Sequence, residues 1–136
     1  MLCQCLFLKR RHKCLGLCII IATQMVSEVQ SDCVIRAISL GTGLDYPVVR
    51  RKLYHSSKLF DCDRLNVDCY CHLLEDVFKF PQVETYGMTV GEFADTHPYG
   101  IYLVRMNGHI STIWDGDVVD IWDCRQSHIT NAWFIK

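Results

Sequence analysis

The sequence predicts an α+β domain, with helices first and an antiparallel sheet last, from three observations. Helical spacing of apolar residues dominates positions 31–80, β-branched and aromatic runs dominate from 100 onward, and "DGD" at 115–117 is a strong hairpin signal. At 136 residues the chain has the size of one domain and can bury a core of its own.

The elements follow in order. Ser31 or Asp32 serves as an N-cap, Val34, Ile35, Ala37, Ile38 and Leu40 form one apolar helical face, and Gly41 and Gly43 end the helix. Asp45 caps a second helix with Pro47 in its first turn and Val48, Val49, Leu53 and Tyr54 behind it. "HSSKLFDCDRLN" reads as a polar loop, and a third helix is expected over 68–78, closed by Pro81. "QVETY" then reads as a short strand, and Thr89 with Glu92 three residues on has the spacing of a capping box that opens a short helix. "GIYLVRM", "HISTIWDGDVVDIWD" and "NAWFIK" complete an antiparallel meander, so residues 28–136 are expected to form a single domain.

Residues 1–27 stand apart. A basic cluster at 9–13 precedes an apolar run from Cys14 to Ala22, the order of a secretory n-region and h-region. That run is nine residues, whereas a membrane-spanning helix takes about 20. Two other readings stay open: a membrane-surface anchor with Cys3, Cys5, Cys14 and Cys18 as acylation sites, or an N-terminal element of the domain.

Composition narrows the function classes. Fourteen Lys+Arg stand against fifteen Asp+Glu, which leaves no basic stripe, and no nucleic-acid partner is expected. Nine cysteines is an odd number in a chain that needs no staples, so reduced thiols in a cytoplasmic compartment are favoured over a disulfide scaffold. Secretion or membrane association remains the alternative if residues 1–27 act as a signal or anchor.

Cys33 is the first chemical candidate. It falls in the first turn of a predicted helix, where unpaired backbone N–H groups and the helix dipole favour a thiolate. A nucleophilic thiol needs an imidazole nearby. His109 follows the tight connection "MNG" and opens an extended run, so it is chosen over His97 at a helix end and over His55 and His128 in loops. The hairpin brings the start of one strand beside the end of the next, about 4.8 Å away, and Asp123 is thereby expected next to His109 as the group that fixes its tautomer. Asp115 and Asp117 read as turn residues, and Asp120 falls on the strand face opposite Asp123. Trp114 and Trp122 are expected in the core or the cleft wall.

"SDCVIRAI", "GHISTIWDG" and "DIWDC", in that order, resemble the papain-like cysteine peptidase superfamily. The closest likeness is to the bacteriocin-leader (double-glycine) peptidase type and to small phage-encoded proteins of that fold. The resemblance spans residues 28–136 and implies a papain-like fold, with helices packed on the sheet. It implies Cys33 as nucleophile, His109 as general base and acid, and Asp123 as the orienting acid, without metal or organic cofactor. Such enzymes also use an upstream glutamine in the oxyanion hole; Gln24 and Gln30 both miss the usual spacing, which leaves Gln30 and Ser31 as oxyanion candidates. Val34 stands where the family carries glycine after the cysteine.

A second cluster, Cys62, Cys69, Cys71 and His72, invites a zinc reading, yet its C-x6-C-x-C-H spacing matches no common zinc motif. The expected function is therefore a cysteine peptidase or related amide hydrolase acting on a peptide or protein. Acyl transfer or isopeptide cleavage on the same three residues, and an inactive binding module of that fold, are the alternatives. The sequence leaves the oligomeric state open.

Overall fold

The first apolar face folds as helix α1, Cys33–Thr42, in a computed structural model that describes residues 32–136. The readings of residues 1–27, and of Gln24, Gln30 and Ser31, lie outside the described residues. Val34, Ile35, Ala37 and Ile38 of α1 are buried, and Gly43 ends the helix at φ 78°, its N–H returning to the Ser39 carbonyl. Only a residue without a Cβ takes that left-handed conformation without cost. Asp32 precedes α1 but makes no side-chain cap, because its carboxylate ion-pairs with Arg36 one turn on.

Helix α2, Tyr46–Phe60, takes in six residues that the sequence assigns to a loop. "HSSKLF" is polar because it forms mostly the solvent side of an amphipathic helix; Ser56 is turned inward with Val49 and Leu53. Helix α3, Val67–His72, starts at Asn66, whose Oδ1 accepts the Val67 N–H at 2.7 Å. It runs on as a wider turn over Leu73–Val77, so the expected third helix is present over nearly its whole length.

The strands are β1 Gln82–Val83, β2 Ile101–Met106, β3 His109–Trp114, β4 Asp117–Val119 and β5 Ile129–Phe134, with helix α4, Val90–Thr96, between β1 and β2. They form one antiparallel sheet in the order β1-β5-β2-β3-β4. The domain is thus α+β. The meander expected from sequence stops at β4. β5 crosses back to the far side of β2, and "DIWD" leaves the sheet after Val119 to deliver Cys124 and Ile129 to a second core.

There are two cores because period-two alternation buries both faces of the sheet. Leu103, Ile110 and Trp133 pack against α1, α2 and α3. Val104, Met106, Ile113, Val118 and Ala132 pack against Val90, Phe93 and Ala94 of α4. The capping box of α4 is formed: the Thr89 N–H donates to Glu92 Oε2 at 2.9 Å, and the Glu92 N–H to Thr89 Oγ1 at 3.2 Å. Thr112 in β3 donates its hydroxyl to the Ala37 carbonyl at 2.9 Å, tying α1 to the strand that begins with His109. Among the described residues, no helix is long and apolar enough to cross a membrane.

The β3–β4 hairpin turns through Asp115 at φ 48° and Gly116 at φ 81°, the paired positive values of a type I′ turn. A Cβ on Gly116 would lie 3.3 Å from both the Ala94 carbonyl oxygen and the Pro98 Cα. Gly116→Ala is therefore expected to lower stability by about 1–2 kcal/mol, the cost of a left-handed residue that carries a Cβ. Urea unfolding checks this; an unchanged midpoint would contradict the turn geometry.

Candidate functional site

The hairpin sets the site. Its two-residue turn pairs Trp114 with Asp117, Ile113 with Val118 and Thr112 with Val119. β4 ends at Val119, so Asp120 is the first residue past the strand, one step beyond the Thr112–Val119 pair. Side chains of one parity on β3 therefore share a side with those of the opposite parity after the turn.

This register corrects the expectation for the acid. Asp120, and not Asp123, meets the histidine: His109 Nε2 lies 2.6 Å from Asp120 Oδ2, with side chains only 9% and 6% exposed. Asp123 falls on the other parity and is 62% exposed. Its Oδ1 accepts the Arg125 N–H at 3.1 Å and lies 3.9 Å from Arg125 Nε. Trp122 covers the imidazole, ring centroids 4.7 Å apart, and borders a different pocket, with Asp120 and Asp123.

Asp120 is held from several directions. Its Oδ1 accepts the Ile121 N–H at 2.7 Å, and Oδ2 lies 3.7 Å from the Cys124 sulfur, whose thiol donates to it. The Arg36 guanidinium, already paired with Asp32, also feels the Asp120 charge. Arg36, Asp120 and Cys33 line one small cavity.

Cys33, at the start of α1, lines the same groove as His109 and is close enough to act on its ring. Asp120 occupies Nε2, which leaves Nδ1 as the ring nitrogen open to another partner. Burial by itself would lower the imidazole pKa, but hydrogen bonds to Asp120 and Cys33, and their charges, outweigh it and push the value up to about 9. In the protonated state the buried groups form a balanced set, Asp32 with Arg36 and Asp120 with His109.

Other thiols differ. Burial, followed by the pull of neighbouring groups, raises Cys69 to about 12, Cys71 to about 11 and Cys124 to about 12, Cys124 chiefly through burial and then the Asp120 charge. These cysteines stay protonated and unreactive at neutral pH.

On the far side of the sulfur, Cys33 and His109 border a groove of about 160 Å³. Val34, Leu65, Asn66, Tyr70 and Arg105 contribute to its walls. The carbonyl of a substrate entering here would approach the first turn of α1, whose earliest N–H groups have no partner within the helix.

Two clusters bear on metals. The proposed zinc ligands diverge: the Cys69 thiol points to the Leu53 carbonyl at 3.8 Å, while His72 stacks on Phe60 and meets Asp76 Oδ2 at 2.6 Å. Ligand atoms of His109, Asp120 and Cys124 do lie within 4.8 Å of one another, a donor set suited to a zinc-like ion. Such an ion would take the same Nε2 and Oδ2 that the hydrogen bond uses, so the two arrangements exclude each other.

Sequence reasoning missed Asp120, Arg36, Arg105 and Cys124. Asp120 carried a readable signal, since a two-residue turn at Asp115–Gly116 fixes the pairing by itself. No family model, curated protein or solved structure matches this chain. What fold and site define is an α+β domain with a cysteine and a histidine at one groove and an aspartate bonded to that histidine.

Two outcomes are expected. By NMR, His109 titrates near 9 in the wild type; Asp120→Asn moves it down, and Asp123→Asn leaves it in place. Because the folded value exceeds the ordinary imidazole value of 6.5, the pair's stabilisation is complete below about pH 6.5 and is lost as pH rises through about 9. Chemical denaturation across that window should show the loss in wild type and a flatter profile in Asp120→Asn.

Proposed function

We propose that this protein is a papain-like cysteine peptidase or related amide hydrolase in which Cys33 is the nucleophile, His109 the general base and acid, and Asp120 the orienting carboxylate. The observation that carries the reading is the His109 ring held between the Cys33 thiol and the buried Asp120 carboxylate. Chain order supports it too: cysteine at a helix start, histidine at a strand start, acid after the next strand.

In this mechanism the one proton shared by Cys33 and His109 resides on the imidazole, and the thiolate adds to an amide carbonyl. The developing oxyanion points at free N–H groups of the first turn of α1. His109 then gives its proton to the departing amine, leaving a thioester on Cys33. Water, deprotonated by His109, attacks the thioester and releases the acid. Asp120 stays ionised throughout, because its task is to hold the ring and stabilise the imidazolium. An amine in place of water would give acyl transfer, and product analysis with and without added amine separates the two.

Iodoacetamide is expected to alkylate Cys33 ahead of Cys69, Cys71 and Cys124, as located by mass spectrometry; equal labelling of all four would contradict the reading. Against a panel of peptide amides, Cys33→Ala abolishes turnover. Asp120→Asn lowers it by about 10²–10⁴-fold, the usual worth of positioned acid–base catalysis, whereas Asp123→Asn retains it.

A further inference from the structure

Beside the sulfur, the groove holds a charge that the hydrolytic steps do not use. Arg105 sits in β2, registered opposite Ile110 on one side and Asn131 on the other. Its Nη1 donates to Asn131 Oδ1 at 2.6 Å, and the guanidinium lies beside the buried Tyr70, which lines the same groove. Both are neutral. Among the described residues no carboxylate comes within ion-pair distance of Arg105, whereas Arg36 has Asp32 and Arg125 has Asp123.

A half-buried guanidinium with neutral partners keeps most of its electrostatic demand unmet. Its planar fork presents five N–H donors, and the group that meets both its charge and its geometry is a carboxylate, bound in bidentate fashion. Asn131 and Tyr70 fix the plane of the fork. The fork lines the same groove as Cys33 and His109, among otherwise apolar or neutral walls at Val34, Leu65 and Asn66.

We propose that Arg105 is the specificity-determining residue of this groove and that the substrate is an amide with a carboxylate close to the scissile bond. The carboxylate is either a chain-terminal one or that of an acidic side chain. This inference rests on the assignment of Cys33 as the nucleophile, and the test keeps the two apart.

The experiment compares the rates at which anionic iodoacetate and neutral iodoacetamide alkylate Cys33, in wild type, Arg105→Gln and Arg105→Met. Met preserves the packing of the stem should Gln fail to fold, and an unaltered iodoacetamide rate at Cys33 certifies an intact site. The preference for iodoacetate should fall about tenfold on removal of the guanidinium, as expected for a lost charge-assisted hydrogen bond. An unchanged preference in a folded variant overturns the inference while leaving Cys33 as nucleophile; absence of any selective labelling of Cys33 in wild type overturns both. Protection of Cys33 from iodoacetamide by peptides then names the source. Free-acid against amidated C-termini form one arm, and internal Glu against Gln the other. The carboxylate member of one pair should protect at about tenfold lower concentration; equal protection within both pairs overturns the proposal.

Discussion

A buried hydrogen bond between His109 and Asp120 governs the rest of the site. Neither group belongs in a protein interior alone. An isolated carboxylate or imidazolium there faces a desolvation cost that only a well-placed opposite charge offsets. Arg36 and Asp32 extend the balance to two pairs, and the Cys124 thiol and Ile121 N–H fill positions around the Asp120 oxygens. The consequence is an imidazole that retains its proton beside a sulfur, which is the charge state a thiolate requires.

The scaffold brings these groups together by simple means. Thr112 ties β3 to the middle of α1, and the shared core of Ile35, Ile38, Leu103 and Ile110 fixes the helix over the sheet. Cys33 is then the first residue of α1 and His109 the first of β3. α4 braces the opposite face, so the strand that carries the histidine has packed side chains on both sides. Rigidity of this kind brings side chains from separate elements of the fold to one place.

Much of this was legible in the sequence. The boundaries of α1, the capping box at Thr89 and Glu92, and the turn at Asp115–Gly116 all follow from local signals. Local chemistry decides each of them. Asp120 rather than Asp123 meets His109 because it follows directly on the Thr112–Val119 pair, before the chain has turned away from the sheet. The extension of α2 over His55–Phe60 was hidden because polar residues on the outside of a helix look like a loop. The return of β5 to the far side of β2, and the use of Arg105 within the groove, are tertiary facts with no local signature.

The convergence of sulfur, imidazole and carboxylate is the claim on which the functional account stands, and the titration of His109 in Cys33→Ala tests it most directly. Contact with Cys33 contributes to the raised imidazole value of about 9. NMR of the variant should therefore show His109 titrating at a lower pH than in wild type, with Asp120 still bound to Nε2. A titration curve identical to that of the wild type would mean that the sulfur is not in contact with the ring, and would contradict the account.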